Sequence, residues 1–236
     1  MNPAWFVTGT DTGIGKTVVS SMLLHHLHRR GRPVVGMKPV ASGCHEDGGQ
    51  WINEDVQQLV RHSSLPVLRG PEEAARAAGA IPWRIVNPYA FEPAIAPHIA
   101  AARAGTEIRF GVIQTALDEL RTRADVVIEG AGGFRVPLGP DGDTADLCQA
   151  LAVPVVLVVG MRLGCINHAL LTVESIAARN LTLAGWVANR IDPNMTAFEP
   201  NLSLLLEEIP APCLGVVPFQ EPLQVGVVPL AVEALL

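Results

Sequence analysis

The sequence predicts an α/β fold: a single domain built on a doubly wound, mostly parallel sheet. Three observations carry the prediction. Short β-branched runs alternate along the chain with longer segments of helical period. Several of those runs are apolar without alternation, as strands covered by helices on both faces are. A hydrophobic content of 49% against 17% charged residues, spread evenly over 236 residues, supplies a sizeable core with no linker and no internal repeat. A chain of this length buries roughly 70% of its unfolded surface in one core.

Taken in order, AWFVTG (4–9) is the first strand and 16–30 its helix. PVVGMKPV (33–40) is the second strand, followed by a helix over 53–62. At LPVLRGPEEAARAAGAIPW (65–83) the composition shifts toward proline and alanine, and the stretch reads as a surface insertion in preference to a substrate lid. A helix over 107–123 precedes the strand DVVIEG (125–130). PVVLVVG (154–160), a helix over 166–180, LAGWVAN (183–189), a helix over 196–208 and CLGVVP (213–218) complete the alternation. In such a sheet a ligand is expected at the carboxyl ends of the strands.

Composition excludes several classes. A net charge of −6 gives no electrostatic reason to bind nucleic acid or an acidic membrane surface. Cys44, Cys148, Cys165 and Cys213 stand alone, with no C-x-x-C pair, and read as reduced thiols rather than a zinc site or disulfide framework. MNPAWFVTG shows no basic segment ahead of an apolar stretch and cleavage site, and no span of about 18 apolar residues follows anywhere. A cytoplasmic protein is expected.

FVTGTDTGIGKTVVS (6–20) is a phosphate loop of P-loop NTPase type, displaced from the common pattern because its first glycine is Gly9 and Thr10, Asp11 and Thr12 fill the turn. Gly13 and Gly15, with Ile14 between them, let the backbone turn its N–H groups around phosphate oxygens. The following helix adds its positive end, Lys16 reaches the terminal phosphates, and Thr17 can hold Mg²⁺. Of the 17 basic residues only Lys16 and Lys38 are lysines, and Lys38 falls at the end of the second strand. A compact ammonium fits between phosphate and substrate oxygens where a planar guanidinium does not. Glu129 ends an apolar strand and turns into GAGG, where such a sheet places a second metal ligand; Asp55 is another candidate, although it or Asn53 can equally cap the helix that follows. His25, His26 and His28 read as solvated, and Asp141 and Asp143 in GPDGD as turn residues.

GTDT with GKT, KPVASG, VNPYAF, APHI, IEGAGG, VVGMRLGCINHALLT, LAGWVAN and IPAPCLG together resemble the dethiobiotin synthases, over nearly the whole chain apart from 65–83. The resemblance implies ATP- and Mg²⁺-dependent cyclisation of 7,8-diaminononanoate (7,8-diaminopelargonate) with CO₂. A carbamate forms, ATP phosphorylates it to a carbamic-phosphoric mixed anhydride, and the second amine closes the ring. It assigns catalysis to Lys38, Lys16 and Thr12, metal binding to Thr17, Asp55 and Glu129, and substrate contacts to Ser42, Gly164, Cys165 and Asn167. The tail carboxylate would lie against free N–H groups at a helix start near Gly164, with Cys165 acting through its backbone. Nucleotide contacts fall on the loop, on Gly130, Ala131 and Gly132, on Asn189 and Arg190, and on Pro218, Phe219 and Gln220. A homodimer is also implied.

Two positions depart from that pattern: Gly13 stands where an acidic side chain is common, and Asn201 where a tyrosine reaches the partner subunit's substrate. Two other classes share the sheet. A switch-type ATPase that works through a protein partner carries an extra lysine early in the loop, and positions 9 to 14 hold none. An amide-forming synthase of the cobyrinate type needs a glutaminase domain, for which the short stretch after Pro218 leaves no room.

Overall fold

Six strands dictate where everything else sits: β1 (Ala4–Gly9), β2 (Val34–Met37), β3 (Asp125–Glu129), β4 (Val155–Met161), β5 (Leu183–Arg190) and β6 (Cys213–Val217). In the computed structural model, which describes residues 1–219 and 225–236, they form one parallel sheet in the order β6-β5-β4-β1-β3-β2. Every residue of β1 through β4 is buried, which is why these runs carry no polar alternation.

Successive residues of a strand point to opposite faces, and the sheet uses both. Trp5 and Val7 of β1 pack with Val19, Leu23 and Leu27 of α1 (Lys16–Arg29), while Phe6 packs with Ile113, Leu117 and Leu120 on the other side. Those three belong to α3 (Phe110–Arg121), and α2 (Glu54–His62) adds Leu59 to the α1 face. Further along, α4 (Thr144–Leu151), α5 (Cys165–Ala177) and α6 (Phe198–Glu208) follow, the last two covering β4 and β5 through Val159, Trp186 and Leu205. Each fully buried Val, Leu or Ile side chain contributes about 1.5–3 kcal/mol.

The expected strand over 33–40 is cut. The β2 ladder ends at Met37 opposite Ile128, and Val40–Ser42 pairs instead with Tyr89–Phe91 in a separate parallel ribbon. Pro39 has no N–H to donate, so the break falls beside it. Helix Pro97–Arg103 and α4 escaped the sequence reading because each is short and its apolar residues do not complete a long period. Most of 65–83 runs over the surface, but Ala75, Ile81 and Trp83 are buried, the last two in the main core.

Two turn residues and two of the histidines expected to be solvated have structural work. Asp143 caps α4 in a capping box with Asp146, and Asp141 accepts from the N–H of Phe110 at 2.8 Å at the start of α3. His26 Nε2 lies 2.9 Å from the carbonyl of Val228, and Leu230 and Val232 beyond it pack into the α1 face, so His25 and His26 are half-buried under the C-terminal segment; only His28 is exposed.

Candidate active site

The phosphate loop joins β1 to α1 and is held from several sides. Thr10 donates its N–H to Val158 O at 3.0 Å, and its hydroxyl accepts from Gly160 N–H at 3.3 Å, tying the loop to β4. Gly15 has φ +86, and a Cβ there would stand 2.2 Å from Asn189 Nδ2, so only glycine fits for both reasons. Asn189 Nδ2 in turn donates to Ile14 O at 2.7 Å. That donor braces the loop, and only the rest of the amide remains for a base. α1 then begins at Lys16 with no side-chain cap and no acidic residue in its first turn, which leaves its positive end available to an anion.

Behind the loop the charged residues converge. Thr17 Oγ1 lies 2.8 Å from Asp55 Oδ1 and 2.9 Å from Glu129 Oε1, so its one proton can serve either carboxylate. Lys38 Nζ bridges the same two carboxylates, at 2.7 Å to Asp55 Oδ2 and 2.6 Å to Glu129 Oε1. Glu129 is 1% exposed and Lys38 6%, so the two groups meet in a dry setting where a charged side chain without a partner is costly. Burial works against the Lys38 ammonium, but Glu129 and Asp55 overcome it and hold the pKa above the ordinary lysine value. Burial likewise opposes the Asp55 carboxylate, and Lys38 beside it pulls the pKa below the usual range. Lys16 has no such partner among the described residues: its ammonium donates to Asp11 O at 2.8 Å, and burial pushes its pKa down to about 8.

The helix-cap alternative for Asp55 is settled by geometry. Asn53 is the cap, its side chain accepting from the N–H of Asp55 at 3.0 Å and of Val56 at 3.4 Å, which frees the Asp55 carboxylate to face Thr17 and Lys38. Asn53 also donates to Ser42 O at 3.2 Å, and Ser42 Oγ is buried with no protein partner. Thr12 is exposed on the loop and faces Gly132, where a Cβ would come 3.4 Å from its hydroxyl; Gly130 and Ala131 lead into that turn. Gly13 is exposed with φ +71.

Among the remaining expected positions, the Cys165 amide and Arg190 are engaged elsewhere. The N–H of Cys165 is spent on Arg162 O at 3.0 Å, because the turn before α5 closes on itself, and it is not a free anion donor. Among the described backbone hydrogen bonds none starts from Gly164, Ile166 or Asn167, and Asn167 is exposed and caps nothing. Arg190 is folded back over Phe198, 5.0 Å from the ring centroid, and donates to Pro193 O at 3.0 Å. Pro218 and Phe219 are exposed beyond β6, and Gln220 lies outside the described residues. Asn201 is half-buried in α6.

Sequence reasoning missed two participants. Arg162 pairs with Asp11, linking the start of α5 to the phosphate loop. Asn87 donates to Lys38 O at 2.7 Å. Both lie within quoted motifs, and nothing local announces contacts made across so much of the chain. A hollow of about 590 Å³ lies not over the loop but between Trp51, Trp83 and Tyr89; a smaller one of about 270 Å³ opens beside Thr17 and Asp55. The smaller is the relevant one, because it touches the converging oxygens.

A parallel sheet with a glycine loop, two lysines and two carboxylates at its strand ends defines a P-loop nucleotide-binding protein. Residues 4–225 match the family model described as an AAA domain. A ParA family ATPase from Chlorobium tepidum TLS superposes with a TM-score of 0.55 at 11% identity, over 94% of this chain and 87% of that one, a likeness of fold alone. The chain is 56% identical over 217 residues to an ATP-dependent dethiobiotin synthetase of Aromatoleum aromaticum, covering 91% of this chain and 90% of that protein. It is 50% identical over 222 residues to another of Nitrosospira multiformis, covering 94% and 90%. The chain belongs to the ATP-dependent dethiobiotin synthetase family. No helix among the described residues is long and apolar enough to cross a membrane.

Proposed function

We propose that the protein converts 7,8-diaminononanoate, CO₂ and ATP to dethiobiotin, ADP and phosphate in biotin biosynthesis. The observation that carries this reading is the meeting of Lys38, Thr17, Asp55 and Glu129 within 2.9 Å contacts directly behind the loop that presents Lys16. An amine of the substrate adds to CO₂ and loses a proton, giving a carbamate. A carbamate oxygen attacks the γ-phosphorus, ADP leaves, and the second amine attacks the carbamoyl carbon to expel phosphate. Two anions must approach each other in the phosphorylation step, so the protein's task is positioning and charge neutralisation. Lys16 serves the β- and γ-phosphates, Lys38 the oxygens shared by carbamate and γ-phosphate, and Thr12 and Ser42 the carbamate; the unpartnered, buried Ser42 hydroxyl supports that role.

Thr17, Asp55 and Glu129 fit Mg²⁺. They offer hard oxygen donors at one point, and Glu129 Oε2 is buried without a partner. Bound there, the ion neutralises charge on the nucleotide's terminal phosphates. Asn189, Pro218 and Phe219 are assigned to the base, and the N–H groups of Gly164 and Ile166 with the side-chain amide of Asn167 to the tail carboxylate. A cytoplasmic homodimer completes the reading: α5 and α6 leave Leu171, Leu204 and Leu206 exposed, and the four cysteines are free. The test is to incubate the pure protein with diaminononanoate, bicarbonate, Mg²⁺ and ATP and to look for the cyclic urea by mass spectrometry. ATP hydrolysis without that product would overturn the assignment.

A further inference from the structure

Lys38 stands one residue past the end of the β2 ladder, on the edge strand of the sheet, so no neighbouring strand holds its main chain. Two groups from one short segment do so instead. Lys38 N–H donates to Val86 O at 2.8 Å, and Lys38 O accepts from Asn87 Nδ2 at 2.7 Å. The same amide nitrogen donates to Tyr89 O at 3.1 Å, and Tyr89 N–H donates to Pro39 O at 3.1 Å, where the ribbon that carries Ser42 begins. One side-chain amide therefore joins the break after β2 to the ribbon beyond it. Asn87 is 4% exposed, and its Oδ1 is buried with no partner. A buried acceptor left unpaired weakens a fold; the pattern is that of a group kept for the geometry its nitrogen enforces.

We propose that Asn87 is a positioning residue for the reaction, acting through the main chain of Lys38 and of the Val40–Ser42 ribbon to aim the Lys38 ammonium and the Ser42 hydroxyl at the carbamate. This rests on the roles given above to Lys38 and Ser42. It accounts for VNPYAF, a motif to which the mechanism otherwise gives no task. Asn87 touches neither the nucleotide loop nor the carboxylates, so its effect falls on turnover and not on ATP binding.

The experiment compares Asn87→Ala, Asn87→Asp and Asn87→Ser with the parent and with Lys38→Ala, measuring melting temperature, folded fraction, kcat, and KM for ATP and diamine from pH 6 to 9. The expected result is a kcat per folded molecule lower by roughly ten- to hundredfold in Asn87→Ala, the scale of a displacement of about 1 Å at a reacting group, with KM for ATP within about twofold of the parent. Asn87→Asp, expressed as a ratio to the parent at each pH, should be poorest at pH 9 and recover as the pH falls, because a protonated carboxyl regains an O–H donor for Lys38 O and burial among carbonyls raises its pKa. If Asn87→Ala does not fold, the aspartate ratio and the serine variant decide. Parental kcat per folded molecule in the folded variants, with a flat aspartate ratio, overturns the inference. Parental turnover in Lys38→Ala overturns instead the role of Lys38 on which it rests.

Discussion

The two ends of the proposed substrate meet opposite kinds of protein. Around the reacting end, Lys38 and Glu129 are buried and held against one another by a short contact. Around the tail end, Gly164 and Asn167 are exposed, and the donors on offer are main-chain N–H groups at a helix start and the Asn167 side-chain amide. The difference follows from solvation. A buried charge demands a partner before any ligand arrives, so the reacting end is assembled in advance; an N–H in water demands none. Preassembly makes the first region sensitive to any change in shape, whereas the second, with mostly backbone donors, feels only the modest loss of the Asn167 side-chain amide.

The sharpest break is at Lys38. Lys38→Ala, and more tellingly Lys38→Arg, should fold and lose roughly two to three orders of magnitude in kcat, the scale of one preorganised donor. Near-parental turnover in the arginine variant would show that a point charge is not required there. Next comes Glu129→Ala, which should raise the Mg²⁺ concentration for half-maximal activity at least roughly tenfold; a titration that overlays the parent's would mean the wrong carboxylate has been assigned.

A third prediction uses the contrast between the two lysines. Lys38 has carboxylate partners; Lys16 has none among the described residues, and its pKa of about 8 lies below the ordinary 10.5. Phosphates bind the charged form, so ATP affinity should be full below about pH 8 and fall by roughly tenfold per unit above it, with a proton taken up on binding. For folding the sign is opposite. The burial of charged Lys16 weighs against the native state below pH 8, and that penalty is relieved as the pH rises from about 8 toward 10.5. Calorimetry in buffers of different ionisation enthalpy reads the proton uptake directly, and a pH-independent affinity between 7 and 9.5 would rule it out.

The smallest effect belongs to the tail end. Asn167→Ala should raise KM for the diamine roughly three- to tenfold, the worth of one modest hydrogen bond, leave KM for ATP unchanged and narrow the preference for the free acid over its methyl ester. Because Asn167 caps nothing, its melting temperature should match the parent's. A lowered melting temperature with an intact acid-to-ester preference would assign it a structural role instead.

Residues whose placement depends on a few neighbours were legible. Strand, loop and helix around Lys16 and Thr17 follow from glycine spacing and an apolar run, and Glu129 follows from ending its own strand. Asp55 was ambiguous because a carboxylate and an amide two residues apart both suit a helix start; only the hydrogen bonds of Asn53 decided it. The Cys165 amide was misread because the turn that consumes it depends on where Arg162 O points. Asn87 and Arg162 were invisible, since their partners lie 49 and 151 residues away in the chain.

The sequence by itself determined the doubly wound sheet and the phosphate loop and singled out Lys16 and Lys38 as candidates, because hydrophobic period, glycine spacing and the scarcity of lysine are written residue by residue. Tertiary structure alone decided that β2 stops at Met37, that Asn87 takes over the main chain of Lys38, and that Asn189 braces the loop from β5. The reason is the reach of the forces. Backbone propensity and amphipathic period act over a turn or a strand, whereas hydrogen bonds between segments far apart in sequence exist only after the sheet has brought its edges and carboxyl ends together.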